Sequence, residues 1–185
     1  MIITHIEKCE WSDSKIVFTI PLPNLSPVFM SVDITEYGKE NTGIVIVDAD
    51  KFVNLWRSAP NNMHAEEANG SPTTWPNDYK YHHAEKGFSH GRGNPVPLAD
   101  ISYGESMRTP LVHAPPGIRM GECSEKIPYI AFTNGITRTI WLLSHGCSAF
   151  PVKCRMPGAQ GLYHAAAAEG TSFHTLGEFA KIAAA

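Results

Sequence analysis

The chain has 185 residues, a formal net charge of −3, 43% hydrophobic and 18% charged side chains. The apolar content excludes wholesale disorder, and the length suits one domain with a real core. The slightly acidic balance excludes a protein that coats nucleic acid by bulk charge. With 15 Gly and 14 Pro, strands, turns and loops are expected rather than a helical bundle.

No run approaches the roughly 20 apolar residues of a membrane span. The start, Met1 to Lys8, lacks the basic opening and apolar stretch of a signal peptide. Cysteines stand at 9, 123, 147 and 154 without a CxxC pair, which fits reduced thiols in a cytoplasmic protein.

In chain order, residues 15–34 hold two β-type runs around Pro23-Asn24, predicting a hairpin inside an N-terminal β extension over 1–42. Gly43 to Val47 is a β-branched run and reads as a buried strand. Asp48 or Asp50 then offers an N-cap for a helix through Lys51 to Arg57. Phe52, Leu55 and Trp56 share one face of it, and Pro60 ends it. Residues 60–93 show no period of two or 3.6 and read as a long functional or mobile loop. Pro95 to Tyr103 reads as a strand near an edge, because of its prolines. Residues 104–126 read as irregular.

Ile127 to Thr133 is a predicted strand, Asn134-Gly135 a turn, and Thr137 to His145 a helix with Gly146 at its C′ position. Ala149 to Cys154 is a further strand. Residues 155–185 form a helical tail in which Thr175 and Glu178 fit a capping box.

The strand–turn–helix around Gly135 is a ready anion site. A helix start exposes unpaired N–H groups and the positive end of its dipole. Gly135 lets a phosphate approach the backbone, and Arg138 adds a bidentate donor. An ordinary turn followed by a solvated helix arginine fits the same residues. From 119 to 155, five basic residues stand against two acidic ones, a local +3 that suits a polyphosphate or a short nucleic-acid segment. Glu122 and Glu125 precede the motif strand and are candidates to hold Mg²⁺ on bound phosphates. His82, His83 and His90, with Glu85, are metal or acid–base candidates in the 60–93 stretch. Trp56, Trp141, Phe132 and Phe150 read as core, whereas Trp11 and Trp75 read as exposed contacts. No Walker A motif is present, so a P-loop mechanism is excluded.

Phe132 to Val152 resembles the ParB/sulfiredoxin superfamily signature. The matching elements are Gly135, Arg138, Gly146 and Phe150-Pro151-Val152, in order and spacing. With Asn94 to Leu98 and the Phe132-Thr-Asn-Gly…Arg138-Thr block, the pattern is similar to the plasmid fertility inhibition branch (Osa/FiwA-type proteins) over most of 43–154. The resemblance implies a mixed α/β fold, a ParB/sulfiredoxin-like core with an N-terminal β extension and a C-terminal helix.

The implied role is that of a plasmid-encoded factor blocking transfer of another mobile element through a conjugative type IV secretion system. Its implied partners are secretion components, or the transferred DNA or protein. The implied chemistry is binding and hydrolysis of ATP and nuclease action on transferred DNA. The implied place is the bacterial cytoplasm, or the inner membrane periphery through a secretion partner. Arg138, Asn134 and Thr137 are the implied catalytic residues. Gly135, Thr137, Arg138 and Lys51 are the implied nucleotide contacts, Lys51 because Asp48-Ala-Asp-Lys51 stands where sulfiredoxins place a phosphate-contacting lysine.

Two departures matter. Ile136 and Thr137 replace the Cys and His that precede the motif Arg in sulfiredoxins, so sulfinic-acid reduction has no nucleophile there. The residues after 154 are too few for the helix-turn-helix domain of partitioning ParB proteins. No general base stands out. The rival reading is a non-catalytic module that occludes a secretion coupling protein or its substrate, with 60–94 as its contact surface.

Overall fold

A computed structural model describes residues 5–9, 12–34, 38–108 and 124–183. β1 (His5–Cys9), β2 (Ser12–Leu22) and β3 (Leu25–Asp33) form an antiparallel meander. The β2–β3 turn falls at Pro23-Asn24 as expected. β4 (Thr42–Asp48) leads into α1 (Ala49–Arg57). The Asp48 carboxylate accepts from the Lys51 amide at 3.0 Å and caps the helix. Phe52, Leu55 and Trp56 are buried, the face that their spacing predicts. Phe52 meets Phe132 and Phe150 edge-on, at centroid distances of 5.8 and 5.2 Å. The fully buried Phe52 and Phe150 each contribute on the order of 1.5–3 kcal/mol through their burial.

Residues 60–93 are not a long loop. They hold α2 (Ala65–Ala68) and α3 (Tyr81–Ser89), with 3₁₀ turns at Trp75–Asn77 and Gly91–Gly93. These pieces are too short to print a period, and α3 buries only Ala84 and Phe88. Trp75 is buried too, its indole N–H donating to the Glu67 carbonyl at 2.7 Å, so it is no exposed contact.

The proline-rich run 95–103 divides. β5 (Val96–Pro97) joins β3 in parallel at the edge of the first sheet. β6 (Ala99–Arg108) enters a second sheet, where it lies inside rather than at an edge. Pro97 has no N–H to donate, and it sits in the short edge piece. The buried Leu98 between β5 and β6 donates its amide to Ser31 at 2.8 Å and marks the step from one sheet to the other. β6 extends to Arg108 and β7 (Glu125–Asn134) pairs with it, so part of 104–126 is strand rather than irregular.

α4 (Ile136–Ser144), β8 (Ala149–Arg155), α5 (Gly158–Ala166), β9 (His174–Thr175) and α6 (Leu176–Ile182) complete the chain. Gly146 follows α4 with φ of +71°, as its C′ position requires. The capping box of α6 is formed by Thr175 and Glu178. The tail holds two helices with a short strand between them, and α6 is the expected C-terminal helix. The second sheet runs β7-β6-β8-β4-β9, with β6 parallel to β8 and its other neighbours antiparallel. β4, between β8 and β9, is buried from Gly43 to Val47. α5 packs on β4 and β6, α1 on β7, and α3 against α4. The architecture is mixed α/β, and side chains from both sheets share one core.

Candidate phosphate-binding site

Gly135 is the hinge of the site. It takes φ of +105° between β7 and α4, a conformation that disfavours any side chain. A Cβ there would also lie 2.6 Å from Arg138 Nε and 2.8 Å from Ala99 Cα. The glycine therefore lets the arginine fold back over its own turn, against the first residue of β6. No side chain caps α4. The Thr139 hydroxyl is spent on the Gly135 carbonyl at 2.9 Å, whereas the Thr137 hydroxyl makes no hydrogen bond among the described residues.

Arg138 is not a solvated helix arginine. Its Nε is buried and has no hydrogen-bond partner among the described residues. Burial lowers the guanidinium pKa, and Asp100 acts against that shift. Asp100 is itself paired with Lys153 at 3.4 Å. A buried donor without a partner is uncommon in folded proteins and marks a position where a ligand, ion or water belongs.

Arg138 and Asn134 stand between two cavities. The first, about 470 Å³, is floored by the turn from Phe132 to Arg138. Its wall carries Lys80, His64 and His83, and among the described residues no carboxylate lines it. Its volume falls within the range of about 300–1,000 Å³ typical of small-molecule sites. The second, about 480 Å³, mixes Lys15 and Lys153 with Asp33 and Asp100. The uncapped helix start, the arginine and the lysine make the first cavity the stronger anion site.

Asn134, Gly135, Thr137 and Arg138 all line the first cavity. The structure does not bring Lys51 to them. The Lys51 ammonium donates to the Ala167 carbonyl at 3.2 Å, and the residue lines neither cavity. Glu125 is also remote. It is the first residue of β7 and Asn134 the last, nine steps away at ~3.3 Å each, or about 30 Å. A magnesium ion on Glu125 would not reach phosphates at the helix start. Glu122 lies outside the described residues. Among the described residues, no three His, Cys, Asp or Glu side chains gather as a metal site, so His82, His83, His90 and Glu85 do not form one.

Lys80 and His64 were missed because their neighbourhood shows no period. Each follows a signal that was present. The Asn62 side chain accepts from the His64 amide at 3.0 Å, and Asp78 accepts from the Lys80 amide at 2.9 Å. These are two Asx turns, and each fixes a residue of the cavity wall. α3 is held on α4 by the Tyr81–Ser144 hydroxyl pair and by stacking of Phe88 on Trp141 at 4.4 Å.

Among the described residues, no helix is long and apolar enough to cross a membrane. The Osa protein of Shigella flexneri is 28% identical over 144 residues, covering 77% of this chain and 63% of that protein. The chain thus spans less than two thirds of that relative's length. The crystal structure of Oncogenic Suppression Activity Protein, a plasmid fertility inhibition factor, in its gold(I) cyanide derivative, superposes with a TM-score of 0.70. The identity there is 24%, over 98% of this chain and 81% of that one, a likeness that speaks to the fold alone. The family described as Plasmid Fertility inhibition factor matches residues 44–167, and the chain belongs to it.

Proposed function

We propose that this chain restricts conjugative transfer through a phosphate site at the start of α4, where it binds and hydrolyses ATP and cuts transferred DNA. The observation that carries the reading is the buried, unpartnered Arg138 Nε beside a helix start that no side chain caps. The phosphates would lie in the acid-free cavity, on the first-turn amides, the Thr137 hydroxyl, Arg138 and Lys80. Asn134 would orient an equatorial oxygen. Positive charge concentrated there would stabilise the negative charge that builds on a transferring phosphoryl group. His83 and His64 also line the cavity and would move a proton. Among the described residues, the lining offers no carboxylate for a resident metal.

The family supplies the role, interference with conjugation. Secretion components and transferred DNA or protein are the proposed partners, met in the cytoplasm or at the inner membrane. The test is purified protein with ATP and with plasmid DNA, beside Arg138→Ala, with transfer inhibition scored in donor cells. Removing one such charge stabiliser typically lowers turnover by about 10²–10³-fold. The expected result is that Arg138→Ala loses hydrolysis and transfer inhibition together. No turnover by the unaltered chain, with inhibition intact in Arg138→Ala, would sink the enzymatic reading and leave an occluding module.

A further inference from the structure

Two large side chains next in sequence to lining residues of the cavity are left uncovered by the fold. Met63 is 93% exposed and Tyr79 76% exposed. Each stands one residue before a lining residue, His64 and Lys80. The Lys80 ammonium lies 5.0 Å from the centroid of the Tyr79 ring. The ring is therefore held beside a cation of the cavity.

A scattered exposed tyrosine needs no explanation. This one adjoins a site whose other contacts recognise phosphate alone. First-turn amides, an arginine and a lysine grip any phosphate chain, with or without a nucleoside attached. A flat π-face supplies the missing discrimination, because every nucleobase has a face to stack on it.

We infer that Tyr79 is the base platform of the cavity, so that the site takes phosphates bearing a nucleobase in preference to bare phosphate chains. The inference rests on the phosphate-site reading above. The base lies on the open face of the ring, and Lys80 ties the ring to the phosphates.

Calorimetric titration with ATP and with inorganic tripolyphosphate tests this, on the full chain, Tyr79→Ala, Tyr79→Phe and Arg138→Met. Base–aromatic stacking corresponds to roughly 5- to 150-fold in affinity. The unaltered chain is expected to prefer ATP by about that factor. Tyr79→Ala should lose the preference with tripolyphosphate binding unchanged, and Tyr79→Phe should keep it. Arg138→Met should weaken both probes. Equal binding of the two probes by the unaltered chain, or unchanged ATP binding in Tyr79→Ala, overturns the role of Tyr79 and leaves the phosphate site standing. Binding of neither probe overturns both. The side chain is largely in solvent, so its loss does not threaten the fold.

Discussion

Arg138 should cost stability in the empty protein and repay it when an anion binds. The substitution to examine is Arg138→Met, which keeps much of the stem and removes the guanidinium. A buried donor without a partner costs about 1–3 kcal/mol. Attraction to Asp100 returns part of this, but Asp100 keeps Lys153 at 3.4 Å when the arginine is gone. The ligand-free variant should therefore range from as stable as the unaltered chain to about 2 kcal/mol more stable. At ~2–4 °C per kcal/mol for a chain of this size, the melting midpoint should stay level or rise by up to about 8 °C. An anion at a hundred times its dissociation constant adds ~2.7 kcal/mol to the unaltered protein, about 5–10 °C, and should add little to the variant. Melting curves over a tripolyphosphate series read both effects. A ligand-free loss of 5 °C or more, or an equal anion shift in the two proteins, would show that Arg138 is a structural residue and refute the argument.

Gly135→Ala should be strongly destabilising. It places a side chain at φ of +105° and a Cβ 2.6 Å from Arg138 Nε, and ~2–4 kcal/mol of lost stability is expected in chemical denaturation. A change under 0.5 kcal/mol would mean that the turn relaxes freely. Phe52→Ala should cost ~3–5 kcal/mol, because the ring is fully buried against Phe132 and Phe150; a loss near 1 kcal/mol would show that the core closes over the gap. The Glu178 carboxyl is held below its ordinary pKa, first by the hydrogen bond from the Thr175 backbone amide. Its contribution is present above the ordinary carboxylate range and is lost as pH falls through the depressed folded value. The melting-point difference between the unaltered chain and Glu178→Gln should therefore shrink on acidification; a difference independent of pH counts against the capping box. Burial pushes the Cys147 and Cys154 thiols up to about 11. Mass mapping with iodoacetamide at pH 8 should find both unmodified until the protein is denatured.

The parts of this protein that were legible in the sequence are those whose cause is local. Asp48 caps α1 and Thr175 with Glu178 caps α6, because a side chain three residues from an amide needs no distant partner. Gly135 and Gly146 bracket α4 for the same reason. Lys51 failed as a site residue because a helix start can lie at either end of a layer. Only the packed fold shows its ammonium directed at Ala167 while Lys80 takes the cavity. The 60–93 stretch was illegible because its order comes from side-chain ties and single buried residues. Arg57, for instance, donates to the Ala68 and Gly70 carbonyls at 2.9 and 3.3 Å, and no periodicity encodes such anchors. Arg138 was identified, but its burial was not, since that depends on β6 closing behind the turn.

The step at Leu98 has a consequence for how the molecule comes apart. One residue separates β5, edge of the first sheet, from β6, inside the second. Neither sheet can melt without tugging the other, and the cavity beside Arg138 takes Lys15 from the first and Lys153 from the second. Denaturation should then be a single cooperative event, with calorimetric and van't Hoff enthalpies equal. Trimming the N-terminal meander would not yield a smaller working unit; it would dismantle one wall of the second cavity, on the far side of Arg138 and Asn134 from the first.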